Sequence, residues 1–337
     1  MPRDGERVRD PVASRSDGTD LYDIATWEER TSLDGLAVAL YRLLVGSARA
    51  LVLLSALGLL VGIGGFSAIT DPRIGMLTAL SAVPALGLAG YVWYSDVTEG
   101  EPLTLLLATF LLGVLTANFA AVLNTFAQGL FAGLGFLGSV LLFYFVVGPV
   151  EETVKLLAVR LYAYGDDRFG AVVQGAVYGA MAGLGFAFIE NALYITRNLS
   201  TANANAGLGL IGLGSGIVGV RALAGPGHVI YSAFAGYYLG LAKFNPGQRG
   251  PIVIKGLLIA AFIHATYNTT VGIGSGLIHL FTGLPPIVSF LVYVVAYDGL
   301  FGLLLFRKIR RYNGAYASAS GGAEEPVPDP DLTEFDP

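Results

Sequence analysis

The chain has no cysteine, so disulfides and thiolate metal sites are both excluded, and any metal would need histidine or carboxylate ligands. Charge is scarce as well: Asp, Glu, Lys and Arg are 13% of 337 residues, against about 25% in a typical soluble domain. Only four lysines occur (Lys155, Lys243, Lys255, Lys308) and three histidines (His228, His264, His279). No nucleic-acid partner is expected. No internal repeat is visible in the apolar segments, which weighs against transporter folds built from inverted repeats.

What the chain does have is hydrophobic length. It is 54% hydrophobic with a mean hydropathy of +0.64, the composition of an all-α polytopic membrane protein. Apolar runs at 50–70, 74–94, 102–125, 132–163, 170–195, 226–244, 252–274 and 286–306 predict about eight transmembrane helices, each long enough to cross ~30 Å at 1.5 Å per residue. Residues 1–35 read as a disordered cytoplasmic tail. Residues 36–131 read as an interfacial helix (36–49) followed by N-terminal transmembrane helices, 132–275 as a core of four helices, 276–311 as a C-terminal transmembrane helix, and 312–337 as a disordered acidic tail. The Gly-rich piece GLGLIGLGSGIVGVRAL (207–223) reads as re-entrant or outer-surface, because a ninth crossing would break the charge parity. With eight spans, the clusters Arg42/Arg49, Arg160/Arg168, Lys243/Arg249 and Arg307–Arg311 all fall on one side. That predicts a multi-pass protein of the cell membrane with both termini cytoplasmic.

Inside this apolar frame stand residues that lipid does not tolerate. Glu151, Glu152 and Lys155 lie on one span, Glu190 and Asn191 on the next, His228 on a third, His264 and Asn268 on a fourth. A charged group at the bilayer centre costs about 2.5–3.5 kcal/mol or more, so such groups face a bundle interior and mark chemistry or transport. Glu151 and Lys155 share a helix face four residues apart, while Glu152 points about 100° away. Small residues accompany these groups. Gly175, Gly179 and Gly183 form a ridge leading to Phe186 and Glu190; His228, Ser232, Gly236 and Gly240 share a face, as do Gly256, Ala260, His264 and Asn268. Close packing along these ridges predicts that the glutamates and histidines converge in one cavity. His279, near the outer end of its span, reads as interfacial.

Glu151-Glu152-x-x-Lys155, Phe186-x-x-x-Glu190-Asn191, His228 and His264-x-x-Tyr267-Asn268 resemble the motif set of the PrsW family of intramembrane proteases, over about 140–275. That family is similar to the wider group of CAAX-prenyl and bacteriocin-processing proteases with patterns EExxxR, FxxxH and HxxxN. Against that wider pattern Lys155 stands one residue early, Glu190 replaces a histidine, and His228 is additional. The resemblance implies an intramembrane endopeptidase acting on a membrane-anchored protein or peptide substrate. In one version Glu151 is the general base beside Glu152, with His264 and Asn268 as oxyanion donors and no cofactor. In the other, Glu190, His228 and His264 hold Zn²⁺. The alternative from another class is an ion- or proton-coupled transporter using the same Glu/His cluster. His228 and Glu190 sit about 10 Å outward of their span centres, which predicts a cavity opening to the extracytoplasmic side.

Overall fold

A computed structural model describes residues 20, 22–23, 27–98, 100–201 and 216–321. The described residues are helical, with no β-strand among them. The helices are α1 (Ser32–Gly62), α2 (Gly65–Thr70), α3 (Pro72–Tyr94), α4 (Leu103–Phe131), α5 (Gly135–Leu142), α6 (Gly148–Leu161), α7 (Val172–Thr201), α8 (Ile217–Phe244), α9 (Arg249–Thr282) and α10 (Pro286–Gly321). The chain is an all-α polytopic membrane protein. Residues up to Ser55 and residues from Ala56 onward pack as two separate compact units; the second holds everything functional below.

Six stretches among the described residues are long and apolar enough to cross a membrane. One of them, Leu103–Leu161, is 59 residues long and folds back on itself. The chain reverses at Ala132–Leu134 and at Gly135, whose φ of +56° lies in the region glycine adopts most readily. This places Asn124 of α4 beside Glu151 of α6. Helix α8 is 28 residues long but is not among the six; Gly, Pro, His and Tyr dilute its apolar character.

The ends of several elements differ from the sequence expectation. α1 starts at Ser32, within the expected tail, because Thr31 and Asp34 cap each other. The Asp34 carboxylate accepts from the Thr31 N–H at 2.7 Å, and the Asp34 N–H donates to the Thr31 hydroxyl at 3.2 Å. The expected interfacial helix (36–49) and much of the first span are therefore one helix. α10 continues past Tyr312 to Gly321, pinned where Tyr312 Oη accepts from the Val172 N–H at 3.2 Å and Asn313 donates to the Ser95 carbonyl at 2.6 Å. Residues 322–337, like most of 1–26, lie outside the described residues. So does the first part of the Gly-rich segment, 207–215; its remainder forms the start of α8 from Ile217.

α7 is the hub. Its most apolar stretch is 89% buried, against 11–39% for the other five, so it packs against protein on nearly every face. On one side, a Cβ on Gly175 would lie 2.2 Å from the Gly236 carbonyl, on Gly179 2.2 Å from the Ser232 carbonyl, and on Gly183 2.3 Å from the His228 carbonyl. The expected ridge thus meets α8 backbone to backbone, the arrangement by which membrane helices associate without a hydrophobic driving force. On another side, Gly185 meets the Phe110 carbonyl of α4. α9 closes the bundle: Gly148 faces the Ala261 carbonyl and Gly256 faces Tyr238. Outside the spans, Arg168 binds Asp166 at 2.8 and 2.9 Å and holds its carboxyl down to about 2.

Candidate active site

Helices α4, α6, α7, α8 and α9 enclose a cavity of about 330 Å³. Glu151, Glu190, His228, His264 and Asn268 all line it, so five of the six residues singled out in the sequence converge. The sixth, Glu152, is sealed behind the wall with no exposed surface.

The segment ahead of the glutamates explains their placement. Phe143–Val147 forms a π turn in which the Gly148 N–H donates to the Phe143 carbonyl, five residues back. Pro149 follows in the first turn of α6, where its missing N–H is harmless. Glu151 and Glu152 thereby face the inside of the bundle.

Glu152 is fully occupied. It accepts from Lys155 Nζ at 2.7 Å, pairs with His264 Nδ1 at 2.8 Å, and accepts from Ser232 Oγ at 3.4 Å. Glu190 is occupied too. Arg221 of α8 forms an ion pair with it, and His228 Nε2 lies 3.0 Å from its Oε2. Asn191 holds the same arginine at 2.8 Å and donates to Ser81 of α3 at 3.0 Å. Glu151 differs. Its Oε1 accepts from Asn124 at 3.0 Å, and its Oε2 is buried without a hydrogen-bond partner. Around that oxygen stand His264 Nε2 at 3.7 Å, Lys155 Nζ at 3.7 Å and His228 Nδ1 at 4.0 Å.

Each histidine therefore has a carboxylate on one ring nitrogen and turns the other toward Glu151. Glu152 holds His264 through Nδ1, and Glu190 holds His228 through Nε2. With those nitrogens as donors, His264 Nε2 keeps its lone pair toward Glu151, while that of His228 Nδ1 also accepts from Lys155 Nζ at 3.0 Å; a carboxylate on the far ring nitrogen is what orients metal-ligating histidines. Glu151, His228 and His264 offer three donor atoms within 4.8 Å of one another. Two nitrogens and the unpartnered buried Glu151 oxygen make three donors, a set that would suit a zinc-type ion with one position left open. Of the expected ligands His228 and His264 stand in this set; Glu190, claimed by Arg221, does not, and Glu151 takes its place.

Several residues on the cavity or in contact with the Glu/His centre had no counterpart in the sequence reading. Asn118 and Asn124 of α4 line the cavity, although α4 lies outside the expected core of 132–275. Tyr231 packs against the His264 ring at 5.4 Å and donates to Asp298 of α10 at 2.7 Å. Arg221 lies in the segment read as re-entrant. His279 is exposed at the end of α9, beside the Leu284 carbonyl.

A buried Glu/His centre opening onto a cavity within a helical membrane bundle is the arrangement that a membrane-embedded hydrolase requires. Residues 101–300 match the family model described as PrsW family intramembrane metalloprotease. The chain belongs to that family and is an intramembrane protease. It is 32% identical to the Protease PrsW of Geobacillus kaustophilus (strain HTA426) over 194 residues, 57% of this chain and 78% of the relative. It is 26% identical to the Protease PrsW of Bacillus subtilis (strain 168) over 242 residues, 71% of this chain and 98% of the relative. No solved structure matches the chain.

Proposed function

We propose that the chain hydrolyses a peptide bond of a membrane-anchored protein, with Glu151 as the residue on which the chemistry turns. The observation that carries this reading is the Glu151 Oε2, buried, unpartnered and on the wall of the cavity. A buried polar atom left unpaired costs about 1–3 kcal/mol, and water or substrate in the cavity supplies the missing partner. Glu151 would accept the proton of the attacking water at Oε2 while Asn124 fixes the carboxylate through Oε1. Asn268, on the cavity wall one turn beyond His264, offers an amide donor to the developing oxyanion.

In the metal-dependent version of this site Glu151, His228 and His264 would hold the ion. Zn²⁺ would supply Lewis acidity and lower the pKa of its bound water. The other two glutamates are then both engaged, Glu152 by Lys155 and His264 and Glu190 by Arg221 and His228, so neither is free to take the proton. A specific observation favours the metal-free version: Lys155 Nζ lies 3.0 Å from His228 Nδ1 and 3.7 Å from Glu151 Oε2, so an ammonium already neighbours two of the three donors.

The deciding experiment uses purified protein in detergent and a fluorogenic single-span peptide. Cleavage by the wild type and at least a 10³-fold loss in Glu151→Gln are expected. Loss of activity on chelation, restored by Zn²⁺, selects the metal-dependent version; chelator-insensitive cleavage selects the other. Full activity in Glu151→Gln would refute the role given to this residue. The four Arg/Lys clusters further support cytoplasmic termini. On that orientation the lining residues Tyr194, Arg197 and Arg221 support a mouth on the outer side and a cut in the outer half of the substrate.

A further inference from the structure

Glu151 Oε2 is not the only unpartnered atom in the cavity. Asn118 Oδ1, Asn124 Oδ1 and Tyr267 Oη are also buried without a hydrogen-bond partner, and all three residues line the same space. Their assignments follow from their neighbours. Asn118 donates both amide hydrogens to its own helix, to Val114 O at 3.1 Å and Leu115 O at 2.8 Å, which turns its oxygen away from the helix. Asn124 must present its NH₂ to the Glu151 carboxylate at 3.0 Å, which likewise leaves the oxygen. Asn118 is 99% buried, so bulk water does not reach it freely.

Within the spans an orphaned acceptor is costly, because lipid offers no donor. The chain places two such acceptors on the cavity side of α4, ~9 Å apart along the helix and about 120° apart around it, with Glu151 between α4 and the histidines. A transmembrane substrate has a complementary deficit. Its helix must unwind around the scissile bond, and every unwound residue exposes a backbone N–H that the bilayer cannot satisfy. Asn118 is outside the Glu/His centre, touches none of its charged groups, and has an oxygen suited to accept such an N–H.

We propose that Asn118 on α4 is a substrate-positioning residue whose side-chain oxygen accepts a backbone N–H of the unwound membrane substrate, so that α4 forms the docking wall opposite the histidines. This rests on the protease reading above. Because the acceptor addresses backbone rather than side chains, it confers tolerance of substrate sequence and selectivity for helices that unwind.

The test compares Asn118→Thr with Asn118→Val. The two side chains have the same shape; threonine can bond back to the Val114 carbonyl, as Thr109 does to Leu105 at 2.8 Å, and still offers an acceptor, whereas valine offers none. Affinity of a fluorescent single-span peptide for full-length protein in detergent is read directly as Kd, independently of cleavage. Loss of one hydrogen bond to the ligand predicts about tenfold weaker binding in Asn118→Val, with Asn118→Thr, whose hydroxyl lies closer to the helix, falling between Asn118→Val and wild type. A melting temperature in Asn118→Val equal to or above that of wild type is also expected, since an orphaned polar atom has been removed. Replacing one backbone amide of the peptide by an ester, position by position, should weaken binding to wild type at one site and leave binding to Asn118→Val unchanged there. Equal Kd for the Thr and Val variants, or no ester position that couples to residue 118, overturns the proposal and leaves the oxygen to cavity water. Absence of cleavage with this binding pattern intact would instead count against the protease mechanism.

Discussion

Gly183 links the packing of the bundle to the geometry of the site. A methyl group in Gly183→Ala would lie 2.3 Å from the His228 carbonyl oxygen and 2.8 Å from Ser232 Oγ, where ordinary contact begins at 3.4 Å. The obstacle is backbone, so α7 and α8 must separate locally by about 1 Å. Overpacking of this kind costs about 1–3 kcal/mol, and alanine returns about 1 kcal/mol through helix propensity. The net penalty of about 0–2 kcal/mol leaves most of a typical 5–15 kcal/mol in place. The site is less forgiving. The displaced carbonyl belongs to His228 itself, whose ring holds Lys155 and Glu190 at 3.0 Å on opposite nitrogens; a 1 Å shift of the ring away from either takes that contact beyond hydrogen-bonding range. Misplacement by 1 Å costs about 10²-fold in rate. Gly183→Ala should therefore cleave a model peptide about 100-fold more slowly with its melting temperature lowered by only a few degrees. Gly87→Ala, on an exposed face of α3 with nothing within 4 Å of the new methyl, should match wild type in both. A Gly183→Ala enzyme within threefold of wild type would refute the idea that the α7–α8 contact sets the position of His228.

Removing Lys155 should damage the fold itself. Lys155→Met leaves the fully buried Glu152 without its cation, a loss of about 3–5 kcal/mol, and the double variant with Glu152→Gln should recover most of it; thermal unfolding in detergent measures both, and a Lys155→Met protein as stable as wild type would contradict the pairing. Orientation can be read in the cysteine-free chain. Tyr194→Cys should react with a membrane-impermeant maleimide added outside intact cells and a cysteine at Arg311 should not, the reverse result placing the cavity mouth in the cytoplasm.

The sequence carried the frame well because its signals are local. Apolar length marks the spans, and four-residue glycine spacing marks the α7–α8 contact, since both follow from helix geometry alone. The Thr31/Asp34 cap of α1 is equally local, three residues apart in TSLD, and falls within the expected tail. The site was legible in membership but not in pairing. Glu190 and Glu151 are both carboxylates near histidines, and which one joins them depends on Arg221, thirty-one residues beyond Glu190 in an apolar, Gly-rich run. Asn124 and Glu151 are 27 residues apart, and Tyr231 and Asp298 are 67 apart. No periodicity encodes such distances; only the hairpin at Gly135 and the docking of α10 create them.

The π turn at Phe143–Val147 has a consequence for how this protein can change over time. A π turn is an α-helix carrying one residue too many. Deleting any one of the five would restore α-type spacing along the rod from Gly135 to Leu161. The hydrogen-bond ladder would still lack one bond, because Pro149 has no N–H to donate. The same deletion would turn everything upstream by about 100° relative to Glu151 and Glu152, so that if α6 keeps its seat against Ala261, Leu142 and Phe143 leave the cavity wall. If α5 keeps its seat instead, both glutamates swing out of the centre. Drift toward a more regular helix and retention of the active site therefore pull in opposite directions at this segment, and insertions or deletions should be far less tolerated here than in any other turn of the span.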